Sequence, residues 1–407
     1  METLFKNSGD QSQAVELKKT KHKKQILYAL YFNGHLSNAE LSKKLKLSTP
    51  KINSLLVELI EDNLVTDLGR GDSSGGRRPN LYGLNKEGFY VIGITINTRR
   101  TIISLFNAGN KEICEPYFLS VKMQSDMHIF GKVNEKLKEI SNELDVPYEK
   151  ILVVGIELPG LTDQKRGINK TYFPDVENLS AELRKIFGIP VLFNHDSKVR
   201  AFAEQHFGLA RNRKNALMLQ IDWGVGLGII INGKLYNGKS GFSGEFGHLP
   251  ISDNGVLCSC GKRGCLETIV SATAIARRAR EGIKNGSPSL ITDLTGENPE
   301  KTDISTVIQA ANLGDQFAIS LFADVGYSLG KGIVYLIQIF NPEIVILGGR
   351  VAEARDFILA PIQQAINTFS NRDISNDTAI EFSQLGSRAG TMGAAAYALE
   401  QISLSKK

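Results

Sequence analysis

The chain has 407 residues, of which 42% are hydrophobic and 22% are charged, a balance typical of globular proteins with two or three domains. No apolar run reaches the ~18 residues that a membrane span needs, and the first residues lack the apolar core of a signal peptide. Four cysteines in a chain of this length do not indicate a disulfide framework. We therefore expect a cytoplasmic protein with no membrane contact.

Positive charge is concentrated near the N-terminus. The net charge is +5, and residues 1–90 carry 14 basic and 10 acidic side chains, whereas residues 91–407 carry 34 and 33. This asymmetry indicates a domain that faces a polyanion. A solvated basic surface without such a partner would give the same counts.

The first elements of the chain predict a flexible arm followed by a helix. Residues 1–16 are polar and show no period. A helix is predicted from Lys18, because apolar residues such as Ile26 and Leu30 recur at helical spacing and Gly34 supplies a stop.

The next two segments predict a helix-turn-helix. Ser37 and Glu40 form a capping-box pattern that opens a short helix, and Pro50 lies in the first turn of another. Two short helices joined by a tight turn place the second helix against base edges and phosphates. The polar residues predicted to contact DNA in this way are Ser48, Thr49, Lys51, Asn53 and Ser54.

Two further segments predict the strands of a wing. L-V-T-D-L-G and L-Y-G-L-N flank a basic tip with the sequence R-G-D-S-S-G-G-R-R-P-N. Arg70, Arg77 and Arg78 are expected to reach phosphates or a narrow minor groove. Residues 1–88, including the arm, are thus predicted to form a winged helix-turn-helix domain that binds double-stranded DNA. The alternative is a winged module that contacts a protein.

The remainder of the chain opens twice with the same pattern of apolar strands. V-I-G-I-T-I-N and T-I-I-S-L-F-N follow Phe89, and N-A-L-M-L-Q-I and V-G-L-G-I-I-I-N-G-K-L-Y follow Lys214. Each series continues with helices and further strands, which indicates a duplicated α/β fold with two lobes.

Three of the four cysteines lie within eight positions. Cys258, Cys260 and Cys265, together with His248 upstream, make a Cys₃His set, which is the closed first shell of a structural zinc site. Glycines between the thiols supply the backbone freedom that a tight knuckle needs. The alternative is a set of buried free cysteines beside a core histidine.

The same stretch resembles a family signature. G-E-F-G-H followed by C-S-C-G-K-R-G-C-L-E is similar to the motif of the ROK family, which contains bacterial sugar kinases and sugar-responsive repressors. The resemblance extends from about residue 20 to the C-terminus and implies two actin-like (ribonuclease-H-like) α/β lobes with a sugar in the cleft. It implies a small lobe of residues 89–197 with 387–407, and a large lobe of residues 198–386 with the zinc knuckle. The basic wing tip resembles the repressor branch of the family.

The resemblance also implies the sugar-binding residues. In this family the zinc is structural, the ligand His248 also faces the sugar, and Glu245 and Glu267 bind its hydroxyl groups. Asp196 matches the family's catalytic aspartate in N-D-A-N, and an alternative role for it is to cap the helix that follows. His195 replaces the family's asparagine before that aspartate, a departure expected to change which sugar is read.

The two turns that bind ATP phosphates in the family's kinases are altered here. The first reads D-x-G-G-T-K in the kinases, whereas residues Thr95–Arg100 read T-I-N-T-R-R. In the second, Trp223 or Val225 stands where a threonine hydroxyl would meet a phosphate. These losses predict that the protein is not a kinase.

The sequence therefore predicts a DNA-binding transcriptional regulator, in the first instance a repressor, of carbohydrate-metabolism genes. Its expected partners are operator DNA, a sugar or sugar-phosphate effector, and further copies of the chain in a homodimer or homotetramer. Its expected cofactor is structural zinc. Two alternatives are an active sugar kinase with an accessory DNA-binding domain, and a scaffold whose winged module binds a protein.

Overall fold

The computed structural model describes residues 13–71 and 79–404. It divides into two compact units. One contains the described residues up to His195 together with those from Gly390 onward, and the other contains Asp196–Ala389. The three-domain division expected from the sequence remains a prediction, because the winged module and the small lobe both fall within the first unit.

The N-terminal part of the first unit is a winged helix-turn-helix, as predicted. Its elements are α1 (Gln13–Asn33), β1 (His35–Ser37), α2 (Asn38–Leu45), α3 (Thr49–Glu61), β2 (Val65–Arg70) and β3 (Asn80–Leu84). The strands pair in the antiparallel order β1-β3-β2. Ser37 and Glu40 form the predicted capping box at the start of α2. Helix α1 begins five residues before Lys18, so residues 13–16, which were predicted as part of the arm, are helical; the rest of the predicted arm, residues 1–12, lies outside the described residues.

The rest of the first unit is built on a five-stranded sheet in the order β10-β7-β4-β5-β6. Its elements are β4 (Tyr90–Ile96), β5 (Thr101–Asn107), β6 (Tyr117–Leu119), α4 (His128–Glu143), β7 (Ile151–Leu158), β8 (Thr162–Asp163), β9 (Ile168–Asn169), α5 (Leu179–Phe187) and β10 (Val191–His195). Strand β6 is short and begins directly after Pro116, a residue with no amide hydrogen to donate. Strands β4, β7 and β10 are parallel, so their carboxyl ends share one edge of the sheet.

The C-terminal helix α14 (Arg388–Leu404) packs closely against this sheet. Gly93 and Gly155 are register partners on β4 and β7. A Cβ atom at either position would lie 1.9 Å from the carbonyl oxygen of Thr391 or of Ala394, respectively. The helix backbone therefore rests directly on the sheet backbone, which only glycine on the strands permits.

The second unit repeats the topology of the first. Its elements are α6 (Asp196–Phe207), β11 (Ala216–Ile221), β12 (Val225–Ile231), β13 (Lys234–Leu235), α7 (Glu267–Val270), α8 (Ala272–Lys284), α9 (Ile291–Leu294), α10 (Ile304–Asn312), α11 (Gln316–Phe340), β14 (Ile344–Gly348), α12 (Arg355–Phe369), α13 (Arg372–Ser375) and β15 (Ala379–Phe382). The strand order is β13-β12-β11-β14-β15, with β11, β14 and β15 parallel and β12 antiparallel. Read from its other edge, this order matches that of the first sheet, which confirms the predicted duplication.

Helix α11 forms the centre of the second unit's core. It is long and apolar enough to pass a test for a membrane span by length and composition, but 56% of its most apolar window is buried inside the structure. Phe322, Leu329 and Ile333 are fully buried in the main apolar cluster of this unit. Such packing is typical of a core helix.

Candidate functional site

A Cys₃His cluster lies in the second unit between β13 and α7. The sulfur atoms of Cys258, Cys260 and Cys265 and a ring nitrogen of His248 all lie within 4.8 Å of one another. Cys260 Sγ is 3.6 Å from Cys265 Sγ, and Cys258 Sγ is 3.4 Å from His248 Nδ1. The structure thus brings together the four residues that the sequence predicted as metal ligands.

These separations fit tetrahedral coordination. With Zn–S and Zn–N bonds of ~2.3 and ~2.0 Å, tetrahedral angles place two thiolates about 3.8 Å apart and a thiolate and an imidazole nitrogen about 3.5 Å apart. Burial, reinforced by the two neighbouring sulfur atoms, raises the pKa of Cys265 to about 12, so a metal bound at neutral pH must displace its proton. The four donors can hold one metal ion with no open coordination position.

The backbone around the cluster closes into a compact knuckle. Gly261 has a φ of 85°, and a Cβ atom at Gly264 would lie 1.7 Å from the carbonyl oxygen of Ser252. The amide of Cys258 donates to the carbonyl oxygen of Lys262 at 2.7 Å. The predicted need for glycine between the thiols is therefore a need for a left-handed turn at one position and for a close backbone approach at the other.

The histidine of the cluster also faces a carboxylate. His248 Nδ1 points to the cluster, and His248 Nε2 lies 3.9 Å from Glu245 Oε2. A single turn of 3₁₀ helix, Phe246–His248, joins the two residues, and the buried Phe246 ring anchors it. Because one ring nitrogen meets the sulfur atoms, the other can donate a hydrogen bond to Glu245 or to a ligand beside it.

Two further acidic residues lie against the first residues of β12. Glu267 Oε2 accepts a hydrogen bond of 3.0 Å from the Val225 amide, and a Cβ atom at Gly224 would lie 2.6 Å from the same oxygen. A Cβ atom at Gly226 would lie 3.7 Å from Asp196 Oδ1. Positions two residues apart in an extended chain are about 7 Å apart, so the two carboxylates face neighbouring parts of one surface.

Helix α6 connects this surface to the segment that carries Glu245. Asp196 is its first residue and accepts a hydrogen bond of 2.5 Å from the Ser197 amide. Lys198 is 2% exposed, and its ammonium group donates to the carbonyl oxygen of Gly241. Lys198 was not among the residues predicted from the sequence, although it directly follows residues 194–197, which read N-H-D-S.

The carboxyl edge of the first unit's sheet carries His195 and a buried acid. His195 is the last residue of β10 and is half-buried. The Thr95 hydroxyl donates to Glu157 Oε2 at 3.3 Å, and Glu157 is 3% exposed. Thr95 and Glu157 are register partners on β4 and β7. A carboxylate is thus present at this edge on β7, and Glu157 was not among the residues predicted from the sequence.

The turn that follows β4 folds onto its own backbone. Asn97 Oδ1 accepts hydrogen bonds from the amides of Arg99 and Arg100 at 2.9 and 3.0 Å. In this geometry the asparagine occupies backbone donors of the turn that could otherwise face an anion.

In the turn that follows β11, an arginine side chain stacks on Trp223. The guanidinium carbon of Arg350 lies 4.9 Å from the Trp223 ring centroid, and Arg350 Nε lies 3.5 Å from Asp222 Oδ1. Burial raises the pKa of Asp222, Asp196 adds to that effect, and the arginines Arg200 and Arg350 oppose it. Strands β11 and β14 are parallel neighbours, so the turns that follow them meet at one edge. Arg350 was missed because it lies far from Trp223 in sequence.

Six of the eight residues predicted to contact DNA are described by the structure, and all six lie on the surface of the winged module. Helix α3 begins after Ser48, whose side chain makes no capping hydrogen bond, so its hydroxyl remains accessible. Asn53 Oδ1 accepts a hydrogen bond of 3.2 Å from Asn38 Nδ2, which joins the two helices of the motif. The exposed residues of this face are Ser48, Thr49, Lys51, Asn53, Ser54 and Arg70. Arg77 and Arg78 lie outside the described residues.

Comparison with known proteins supports both parts of this picture. A model of the ROK family matches residues 120–401, and a model of winged helix-turn-helix DNA-binding domains matches residues 19–66. The xylose repressor of Bacillus spizizenii is 29% identical over 94% of this chain and 95% of its own. The transcriptional dual regulator NagC of Escherichia coli is 29% identical over 88% and 87% of the two chains. The glucokinase of Thermotoga maritima is 35% identical over 67% of this chain and 86% of its own.

Solved structures agree with these relatives. A ROK family transcriptional regulator homologous to the MLC protein of E. coli superposes with a TM-score of 0.79 at 26% identity, covering 95% of this chain and 97% of its own. A ROK family glucokinase from Streptomyces griseus, in complex with glucose and AMPPNP, gives a TM-score of 0.68 at 24% identity and covers 76% of this chain and 99% of its own. At this identity, the similarity to the S. griseus glucokinase shows a common fold and nothing further.

Proposed function

The chain belongs to the ROK family, and from that premise we propose that it is a sugar-responsive transcriptional repressor of carbohydrate-metabolism genes. The observation that carries this proposal is the presence in one chain of a winged helix-turn-helix and a ROK domain. The xylose repressor and NagC align with this chain over 94% and 88% of its length, whereas the alignment with the glucokinase covers 67%.

Zinc is the metal we assign to the Cys₃His cluster. Three thiolates and one imidazole suit zinc better than calcium or magnesium, which prefer oxygen ligands. The cluster has no open position, so we assign the ion a structural role. It would be held by Cys258, Cys260, Cys265 and His248, and it would fix the segment that carries Glu245 and the start of α7.

The effector is a sugar or sugar phosphate bound by polar side chains around this segment. Carboxylates that accept hydrogen bonds from hydroxyl groups are suited to sugars, and the acids beside β12 leave one face accessible because Gly224 and Gly226 have no side chains. We propose as sugar-binding residues His195, Asp196, Glu245, His248 and Glu267.

Phosphoryl transfer is not part of the proposed function. Asn97 Oδ1 bonds the amides of the first turn, and the stacked pair of Trp223 and Arg350 fills the second. A phosphate would have to displace both arrangements. The alternative function, an active sugar kinase, is favoured by one observation, the 35% identity to a glucokinase. Turnover of ATP in the presence of xylose, glucose or N-acetylglucosamine would establish that alternative.

Operator DNA is bound by the winged module of a cytoplasmic homodimer or homotetramer. Two recognition helices α3 would enter successive major grooves about 34 Å apart. The proposed DNA contacts are Ser48, Thr49, Lys51, Asn53, Ser54, Arg70, Arg77 and Arg78. The sugar acts by binding more tightly to a state whose recognition helices no longer match this spacing, and it can shift the equilibrium only by that difference in affinity.

The test measures DNA binding and sugar binding separately. Fluorescence anisotropy at fixed salt follows binding to DNA from upstream of the chain's own gene. Sugar binding is followed by the fluorescence of Trp223, the only tryptophan in the chain, which lies two residues from the partner of Glu267. The panel contains xylose, glucose, N-acetylglucosamine and the 6-phosphates of the two hexose sugars.

We expect specific DNA binding that one sugar of the panel weakens. Glu267→Gln should raise the Kd for that sugar by about tenfold or more, because it weakens a hydrogen bond to a charged group, and should leave DNA affinity unchanged. Glu281→Gln, at an exposed acid of α8 that pairs with Arg277, is the matched control and should change neither. Absence of specific DNA binding at low salt would refute the proposal.

A further inference from the structure

Helix α14 touches the winged module at one end. At its other end it touches the carboxyl edge of the first sheet, which carries the proposed sugar-binding residue His195. The Tyr28 hydroxyl of α1 donates to Glu400 Oε1 at 2.8 Å, and Lys24 Nζ donates to the carbonyl oxygen of Ile402 at 3.4 Å. Both contacts join residues more than 370 positions apart in sequence. They attach the DNA-binding module to the last turns of the chain.

The other end of α14 lies at the carboxyl edge of β4 and β7. A Cβ atom at Gly390 would lie 2.2 Å from Glu157 Oε2 and 2.6 Å from the Thr95 hydroxyl oxygen. The Ser104 hydroxyl donates to the Thr391 hydroxyl at 3.1 Å. From Gly390 to Ile402 the helix rises about 18 Å, so one rigid element spans the distance between this edge and the winged module.

Helix α14 also lies beside the strands that lead to the proposed effector residues. Asn194 on β10 is the register partner of Glu157 on β7, whose carboxylate lies against Gly390 of α14, and the next two residues after Asn194 in sequence are His195 and Asp196. Burial, together with the charge of Glu400, raises the pKa of Tyr397. Tyr397, in the middle of α14, is 4% exposed, so the helix is anchored in the interior of the first unit at this point.

The packing of α14 favours movement as a unit. Ala394, Ala395 and Ala396 are at most 1% exposed, and the helix backbone rests on the strand glycines. Closely packed interfaces of this kind change between discrete arrangements and do not deform continuously. Burial raises the pKa of the Glu400 carboxyl group, and a buried acceptor that loses its donor is destabilised. We therefore expect two discrete arrangements of α14, one with the Tyr28–Glu400 hydrogen bond and one without it.

We propose that α14 transmits the state of the effector site to the winged module, with Tyr28, Tyr397 and Glu400 as positioning residues. The inference rests on the proposed repressor function. Binding of the effector at the end of β10 shifts Asn194 and its register partner Glu157, and α14, which rests on Glu157 and is anchored by Tyr397, follows this shift. The contact of Glu400 with Tyr28 then changes the placement of α1 and of the recognition helix behind it.

The test compares the response to effector in conservative variants of the full chain. We define the response as the ratio of operator Kd values with and without the panel sugar that releases DNA. Tyr28→Phe and Glu400→Gln should each lower this ratio by about fivefold or more, while the sugar Kd from Trp223 fluorescence stays within twofold. The double variant should respond like each single variant, because the two residues form one interaction.

Tyr31→Phe is the matched control. The Tyr31 hydroxyl also joins α1 to the five-stranded part of the first unit, but its hydrogen bond of 2.8 Å goes to Asn110 Oδ1 and not to a residue of α14. This variant loses the same kind of hydrogen bond from the same helix, so a general loosening of the module would show in it equally. A parental response in Tyr28→Phe and Glu400→Gln, or an equal loss in Tyr31→Phe, would overturn the proposal.

A second measurement does not require an effector. Hydrogen exchange of the α1 amides of residues 26–33 is compared in the parent and in Tyr397→Phe, with Tyr148→Phe as control, because the Tyr148 hydroxyl bonds Asn134 and Phe187 within the same unit. We expect faster exchange in α1 only for Tyr397→Phe, and unchanged rates would overturn the proposal. If the parent binds no DNA or responds to no sugar, the proposed function fails and this measurement still decides the role of α14.

Discussion

Removal of the metal should separate sugar binding from DNA binding. The perturbation is Cys265→Ser, which deletes a fully buried ligand, and the matched control is Cys114→Ser at the one cysteine outside the cluster. The cluster lies in the second unit and the winged module in the first. We therefore expect Cys265→Ser to lose zinc and effector binding and to keep affinity for operator DNA.

The expected loss of thermal stability follows from the charges of the cluster and from the free energy of zinc binding. Two thiolates 3.6 Å apart repel each other by about 5 kcal/mol at an effective dielectric constant of about 20, reduced by solvent at the exposed Cys260. Without a metal, the sulfur atoms must take up protons or move apart, and the knuckle that carries His248 loosens. With zinc at about 1,000 times its Kd, binding stabilises the folded unit by about 4 kcal/mol. For a unit of this size, 2–4 °C per kcal/mol predicts a loss of roughly 8–16 °C in the midpoint of its thermal transition.

Two measurements test this expectation. Metal content by mass spectrometry should be about one zinc ion per chain in the parent and in Cys114→Ser, and near zero in Cys265→Ser. Calorimetry gives the midpoint, and Trp223 fluorescence gives the sugar affinity. The reasoning is refuted if the metal-free Cys265→Ser variant retains the parental midpoint and the parental sugar affinity.

Other predictions concern packing, pH and ligand recognition. Gly155→Ala should lower the free energy of unfolding of the first unit, measured by urea unfolding, by about 1–3 kcal/mol or more, because its Cβ atom would lie 1.9 Å from the Ala394 carbonyl oxygen. The control is Gly131→Ala, in an open position of α4, which should leave the free energy of unfolding unchanged or raise it by up to ~1 kcal/mol. Burial, and to a smaller extent Arg211, lowers the pKa of His206 to about 4. Below pH ~6.5 the His206 ring takes up a proton in the unfolded chain but stays neutral in the folded one. The contribution of His206 to stability is therefore complete above that pH and is lost as the pH falls towards about 4. The free energy of unfolding should therefore differ between pH 7.5 and pH 5, and His206→Gln should remove up to about 2 kcal/mol of that difference, less in proportion to the partial exposure of the ring. Urea unfolding measures it, and identical pH profiles for the parent and the variant would contradict the lowered pKa of His206. Lys198→Met should weaken sugar binding at unchanged zinc content, because the ammonium group supports the Gly241 backbone; unchanged Trp223 titrations would show that this support is dispensable.

The sequence by itself determined the elements that depend on local chemistry. The capping box of Ser37 and Glu40, the helix-turn-helix and the strand pairs follow from spacing and turn residues a few positions apart, and the structure confirms them. The Cys₃His set could also be predicted, because its ligands span 18 residues and their chemistry restricts the metal. The ROK motif then supplied the expected sugar-binding residues.

Only the tertiary structure decided which distant residues meet. Arg350 stacks on Trp223 across two parallel strands, and Glu400 receives the hydrogen bond of Tyr28 from the other end of the chain. Glu157 lies beside Thr95 because β7 pairs with β4. None of these pairs leaves a local pattern, because contacts between distant segments are fixed by strand order and by backbone approach at glycines. Local motifs therefore predicted the candidate ligands, and the packing of α14 on Gly93 and Gly155 decided how the carboxyl edge of the first sheet and the winged module are connected.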